Sequence, residues 1–391
     1  MSNLLKYSVG IDMSSKDFHA CVSVIDSGQR VTIKATHSFP NQKSGFAALR
    51  KWKQKNCRDN LPVVFVIEAT GIYHEQLAWF LHGQDEYVSV VLPNKAKKYL
   101  QSLGLKSKND SIDSKGLSRM GAEQQLRRWQ PLSKTIYELR LLTRHHEALN
   151  KLLTTINNQL HCTEYSQFSD KQIITQQKKL IRLIEKQIIE TTQSIEAAIA
   201  KDEQLSERRK KICTIKGVGV LTFATVVAET NGFALIENGS QLVSYAGYDV
   251  VENQSGSHTG KTKISKRGNS RIRRILHMPS LVAVQCNQSV LKNLYERVYA
   301  KSKIKMKAYV AVQKKMLLLI YTLWKKNEAY NPLYHSASGN EEPKLLFPLN
   351  NISAQKKVVL TKARTTQDEL PCNESPEVLF PLEQKYKKTL K

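Results

Sequence analysis

Apolar positions in the first part of the chain recur in short blocks suited to strands. "KYSVGIDM" (6–13) predicts a short buried strand, and "DFHACVSVID" (17–26) and "RVTIKATHSF" (30–39) predict two more. The short spacers between them suit hairpins, so the three are expected to be antiparallel neighbours. "SGFAALRKWKQK" (44–55) has helical spacing. "PVVFVIEAT" (62–70) is almost continuously apolar, the mark of a central strand covered on both faces. A helix over 72–83 and a strand over 86–93 follow.

Three antiparallel strands followed by strand–helix–strand units predict an α/β domain over residues 1–130, a mixed sheet flanked by helices. That is the order expected of a ribonuclease-H-like fold. From 131 to 208 the period changes. Leu139, Leu142, His146, Leu149, Leu153, Ile156 and Leu160 step by three and four, as do Ile174, Gln177, Ile181, Ile184, Ile188, Thr191, Ile195 and Ala198. Two long helices are expected, forming either an antiparallel hairpin within one protomer or an oligomerising coiled coil.

A mostly helical domain is expected over 209–330. It opens with "ICTIKGVGVLTFATVVAE" (212–229), a helix–hairpin–helix-like element whose glycines could turn backbone N–H groups towards phosphate or simply make a tight turn. Helices over 240–247, 269–286 and 304–327 follow. Residues 331–391 are rich in Pro, Ser and Lys with weak periodicity, and a disordered tail is expected there. Within it "LLFPL" (345–349) recurs as "VLFPL" (378–382).

Charge adds a partner to this picture. Lys and Arg total 60 against 34 acids, a formal net charge of +26 over 391 residues. An excess of that size points to a polyanion, most simply nucleic acid, although ribosomal-type and membrane-surface proteins are also basic. No run of about eighteen apolar residues occurs, so no membrane span is expected. "MSNLLKYSVGID" lacks the long apolar core of a signal peptide. The six cysteines are scattered without a C-x-x-C pair, which argues against a zinc cluster or disulfide framework and fits a reducing cytoplasm.

Four acids stand out against the basic background. Asp12 closes the first predicted strand and Glu68 the central one. An ionised acid at the end of an apolar strand is costly unless it is paired or on a metal. In "LGLKSKNDSIDSKGL" (103–117), Asp110 and Asp113 share one helix face. Alone, that pair reads as a helix start with favourable dipole placement. With the first and fourth strands side by side and a helix from near Asn109 above them, all four carboxylates would converge. Such hard oxygen donors suit magnesium or manganese rather than zinc.

The segment "ENQSGSHTGKTKISKRGNSRIRR" (252–274) is the second chemical candidate. Lys261, Lys263, Lys266, Arg267, Arg271 and Arg274 mark a solvated surface or a phosphate track. Ser265, in the I-S-K motif, is expected to touch phosphate. "GSHTGKT" is not a P-loop, since it has three residues between its glycines where four are needed and no strand leads in. Ser255, judged by its surroundings alone, reads as an ordinary loop serine.

Several motifs together resemble a known family. "YSVGIDMSSKDFHACV", "FVIEATGIYHEQL" and "VLPNKAKKYLQSLGLKSKNDSIDSKGLS" are similar in order and spacing to the N-terminal motifs of the Piv/MooV-like DEDD transposases of bacterial insertion sequences, the insertion sequence 110 family. "GVGVLTFATVVAE", "QLVSYAGYDVVENQSGS" and "TKISKRGNSRIRRIL" resemble their C-terminal domain. The resemblance spans about residues 5 to 330. The family's K-T-D-x-x-D-A signature stands here as K-N-D-S-I-D-S, with Asn109 and Ser114 as departures.

The resemblance implies a RuvC-like domain with Asp12, Glu68, Asp110 and Asp113 as catalytic ligands of Mg2+ (or Mn2+). It implies that Ser255 is a nucleophile joined transiently to the 5′ phosphate of cut DNA, with Ser257 and Ser265 as rivals. It further implies donor and target DNA, a structured guide (bridge) RNA, a homodimer or homotetramer, and a bacterial cytoplasmic protein that is nucleoid-associated when active. Two alternatives remain open: a metal-dependent Holliday-junction-type endonuclease that uses water, and a non-catalytic nucleic-acid-binding protein.

Overall fold

The computed structural model describes residues 3–58, 60–69, 71–104, 109–234, 236–252, 254–256, 258–260 and 262–332. The tail beyond Pro332, with its two LFPL repeats, lies outside the described residues, as do Ser257 and Lys261.

Strands β1 (Leu4–Met13), β2 (Asp17–Asp26), β3 (Val31–Pro40), β4 (Val63–Glu68) and β5 (Tyr87–Val91) form one sheet in the order β3-β2-β1-β4-β5. The pairs β1–β2 and β2–β3 are antiparallel, while β1–β4 and β4–β5 are parallel. This is the mixed sheet of the ribonuclease-H-like fold. β1 lies at its centre, and Val9 and Ile11 are fully buried there. Helices α1 (Lys43–Asn56) and α2 (Glu75–Gly83) cover one face, where Phe46, Leu49, Leu77 and Leu81 pack with Phe18 and Phe65. Helices α3 (Pro93–Ser102) and α4 (Asp110–Glu123) belong to the other, where Ala96, Leu117 and Met120 pack with Val66 and Val91. The strand expected to reach 93 stops at Val91, because Pro93 opens α3 at a position where its missing N–H costs nothing.

Two long helices follow, α5 (Lys134–Tyr165) and α6 (Lys171–Ala200). The predicted seam residues are the ones turned inward: Leu139, Leu149, Ile184, Thr191, Ile195 and Ala198 are buried, and the other seam positions are half-buried. The seam therefore closes within one protomer as a helical hairpin.

The remainder is helix-rich. It contains α7 (Glu203–Ile212), α8 (Val220–Glu229), α9 (Gly239–Ala246), α10 (Ser270–Ile275), α11 (His277–Gln285), α12 (Ser289–Ser302) and α13 (Lys305–Lys326). Its core gathers Phe223, Phe233, Tyr248, Leu276, Met316 and Trp324. The single helix expected over 269–286 is two, broken at Leu276. Pro279 supplies the reason: its ring conflicts with the carbonyl four residues earlier and it has no N–H to give. Among the described residues no helix is long and apolar enough to cross a membrane.

Candidate active site

Asp12 is the penultimate residue of β1 and Glu68 is the last of β4. These strands are parallel neighbours, with Ile11 opposite Ile67, so both acids leave the sheet at the same end, the C-terminal one of both strands. Helix α4 packs tightly on β1 because both sides of the contact are small. A Cβ on Gly10 would stand 2.0 Å from the Ser118 amide nitrogen, and one on Gly121 would stand 2.3 Å from Ser8 Oγ. Asn109 caps α4 by accepting a hydrogen bond from the Ile112 amide at 2.8 Å. Asp110 and Asp113 then fall in the first turn, where the helix dipole favours anions. Both departures from the family signature are structurally quiet. Asn109 is a good cap, and the buried Ser114 hydroxyl donates to the Ser111 carbonyl at 3.0 Å.

The four carboxylates act on one another. Burial, then the charges of Asp113, Asp110 and Glu68, push the Asp12 carboxyl up to about 7, and its bond with the Met13 backbone offsets this only in part. His19, opposite Asp12 in the β1–β2 register, places Nε2 4.0 Å from Asp110 Oδ2. Among the described residues no group of three or more His, Cys, Asp or Glu side chains is arranged to hold a metal ion. This end of the sheet thus gathers negative charge without a closed ligand shell. In chemistry the set fits a hard divalent cation: every donor is a carboxylate oxygen, and their mutual repulsion is what such a cation would relieve.

Burial and this repulsion together give a testable stability effect. With its pKa raised in the fold, Asp12 keeps a proton that the unfolded chain releases above about pH 4, so native stability falls as pH rises from there through about 7. In metal-free protein, Asp12→Asn should therefore melt above wild type at pH 8 and level with it near pH 4. Discounted for solvent screening, the gain is about 1–2 kcal/mol. Thermal melts in chelator at the two pH values would measure it, and a lower melting point for the variant at pH 8 would refute the raised Asp12 pKa.

Ser255 lies elsewhere, in the second half of the chain. Short strands β6 (Val250–Val251) and β9 (Lys263–Ile264) pair, as do β7 (Gln254–Ser255) and β8 (His258–Thr259). Ser255 is exposed at the tip of this ribbon, followed by Gly256 in the left-handed region at φ 54°. Lys263, Lys266 and Arg267 are exposed on its return. Ser265 is already engaged: its hydroxyl donates to Asp249 Oδ1 at 2.5 Å and accepts from the Arg267 amide at 3.2 Å. Arg271 and Arg274 share a face, and that face meets Glu147 of α5, with Arg271 Nε 2.9 Å from Glu147 Oε2 and Arg274 paired to Oε1. In the glycine motif, Gly217 (φ 90°) serves packing, since a Cβ there would stand 2.5 Å from the Pro279 carbonyl oxygen. Gly219 opens α8 with free space around it.

Sequence reasoning missed one ionised acid. Glu229 ends the apolar helix α8 and is 2% exposed. The signal that marked Asp12 and Glu68, an acid closing an apolar run, is present at Glu229 as well.

The strand order defines a ribonuclease-H-like domain, with acids at the ends of its two central parallel strands and on the helix over them. A profile of DEDD-type transposases, described as "Transposase", matches residues 9–163, and one described as "Transposase IS116/IS110/IS902 family" matches residues 209–296. The chain belongs to this transposase family. It is 27% identical over 334 residues to the pilin gene-inverting protein of Moraxella bovis, covering 84% of this chain and 99% of that one. The protein of the same name from Moraxella lacunata matches equally. Among solved structures, Thermus thermophilus RuvC aligns over 32% of this chain and 99% of its own, at 9% identity and TM-score 0.25. A Ppx/GppA family member from Aquifex aeolicus aligns over 83% of this chain and 92% of its own, at 10% identity and TM-score 0.21.

Proposed function

We propose that this transposase-family protein cuts and rejoins DNA strands through a phosphoserine intermediate, with Ser255 as nucleophile and Asp12, Glu68, Asp110 and Asp113 as the acidic half of the site. The observation that carries the reading is the gathering of four acids at one end of the sheet, where burial and then the charges of Asp113, Asp110 and Glu68 raise the Asp12 carboxyl to about 7. Magnesium or manganese held by these acids would supply Lewis-acid polarisation of phosphoryl oxygens. In the proposed step the serine oxygen attacks phosphorus, the new O–P bond replaces the bond to the 3′ oxygen, and the serine proton ends on that leaving oxygen by way of solvent. Phosphodiester energy is kept in the adduct, so rejoining requires only reversal with another 3′ hydroxyl. The gene-inverting relatives support a reaction that rejoins strands as well as cutting them. The test is denaturing electrophoresis of protein incubated with labelled DNA and magnesium. A band carrying label at the mass of protein plus strand supports the reading.

The exposed basic residues suit both donor and target DNA and a structured guide RNA read by its backbone. Nuclease-sensitive RNA bound to protein purified with its own flanking DNA would support the RNA. A second copy is the expected partner of the α5–α6 hairpin, which exposes Leu152, Leu180, Leu183 and Ile189. Leu152→Asp with Leu183→Asp should halve the mass seen by light scattering, and an unchanged mass refutes assembly through the hairpin. Leu149 and Ile184 are unsuitable targets, because both are buried.

One observation favours a second reading. Among the described residues no general base is hydrogen-bonded to Ser255. In the second reading water attacks instead, and the protein is a metal-dependent junction endonuclease. Cleavage without an adduct would decide for it.

A further inference from the structure

The segments that open and close the Ser255 ribbon meet on one buried residue, Glu229, the first at its backbone oxygen and the second at its carboxylate. Glu229 Oε1 accepts from Arg144 Nε at 2.8 Å, and its Oε2 accepts from Arg144 Nη2 at 3.2 Å and Asn269 Nδ2 at 2.7 Å. Its backbone oxygen accepts from the Tyr245 hydroxyl at 2.6 Å. Tyr245 lies just before the ribbon and Asn269 just after it, and the Asn269 amide donates to the Tyr245 carbonyl at 2.8 Å. The neck between them is tight. A Cβ on Gly268 would stand 2.5 Å from the Gly247 nitrogen, and Arg273 Nη1 donates to the carbonyls of Ala246 at 2.7 Å and Gly268 at 3.2 Å.

Arg144 belongs to α5, and the same face of α5 reaches the sheet domain. Arg140 donates twice to the Ala228 carbonyl, at 3.0 and 3.2 Å, and the Tyr137 hydroxyl donates to Glu75 Oε2 of α2 at 2.8 Å. Positions 137, 140 and 144 step by three and four, which aligns them on one side of a helix. A line of polar contacts thus runs from α2, the helix after Glu68, to the neck of the serine ribbon. Burial pushes the Glu229 carboxyl up, but its bonds from Arg144 and Asn269 and the nearby guanidinium charges outweigh burial and hold it below the usual range. It is therefore ionised at neutral pH.

We infer that Glu229 is a positioning residue for strand transfer, fixing the base of segment 246–268 on α5 and so setting where Ser255 stands. The inference rests on Ser255 being the nucleophile. Glu229 touches no reacting atom, and its side chain acts through Asn269, whose amide in turn bonds the Tyr245 carbonyl. Misplacement by about an ångström is enough to cost about 100-fold in rate.

The test uses the full chain with labelled DNA and magnesium. Glu229→Gln removes the charge that Arg144 and Asn269 share. Asn269→Ser removes the amide to Glu229 yet keeps a residue able to cap α10, so it decides the matter if Glu229→Gln does not fold. Both variants should form adduct about 10- to 100-fold more slowly, with DNA affinity within about two-fold of wild type. In both, hydrogen exchange should quicken at the Ser265, Lys266 and Asn269 amides, which bond across the neck. Unchanged exchange there overturns the clamp. Faster exchange with a wild-type adduct rate overturns the positioning role. Ser255→Ala run in parallel separates the two claims: if it still forms adduct the nucleophile assignment falls, while the exchange data continue to judge the clamp.

Discussion

Asp113→Ala should lower magnesium-dependent strand cleavage by about 1,000-fold or more while leaving DNA affinity within about two-fold of wild type. A loss of that size corresponds to about 4 kcal/mol of transition-state stabilisation, within the several kcal/mol expected of Lewis-acid catalysis. Instability would not explain it. An acid in the first turn of a helix contributes about 0.3–1 kcal/mol, and removing Asp113 also relieves repulsion on Asp12. The variant should therefore melt within a few degrees of wild type, and Asp113→Asn, closer in shape, should be as inactive. Asp12→Ala, Glu68→Ala and Asp110→Ala should behave alike. Single-turnover cleavage of labelled DNA, read beside a binding isotherm, measures both quantities. A wild-type rate for Asp113→Ala would make that residue a helix-start charge and dissolve the proposed cluster.

Ser255→Ala should bind DNA normally, retain any divalent-ion response of the melting temperature and form no covalent adduct. The expected loss is complete at the adduct band, because among the described residues of the ribbon tip Ser255 is the one that offers a hydroxyl. Ser265 is a poor substitute, with its hydroxyl committed to Asp249 at 2.5 Å. Ser255→Cys should keep weak activity at most, since a thiolate is a good nucleophile but a soft partner for a hard cation. Peptide mass spectrometry of the wild-type adduct locates the link. A phosphoserine at position 257 or 265 would transfer the role there. Cleavage by Ser255→Ala at the wild-type rate would leave water as the attacking group.

The sheet was legible because its information is local. The unbroken apolar run ending at Glu68 specifies a strand and its burial without reference to the rest of the chain, while alternation in 17–26 specifies the strand but not that both of its faces are buried, Cys21 and Ser23 included. The approach of Asp12, Glu68, Asp110 and Asp113 followed from strand order plus one helix cap. Pairings between distant segments were not legible. Arg271 and Arg274 read as part of a solvated surface or a phosphate track, and only the fold brings Glu147 to them. Glu229 carried the same warning as Glu68, but its partners lie 85 residues before it and 40 after it. The break at Leu276 was written in Pro279, and the strong helical pattern on either side concealed it.

The contact at Gly10 and Gly121 bears on how copies of such a gene decay. A single methyl at Gly10 would meet the backbone of α4, and the helix that carries Asp110 and Asp113 would have to shift. Under the proposed mechanism such a copy would keep every acid and every serine and still lose activity. The two glycines then belong beside the acids in judging whether a copy of the gene can act.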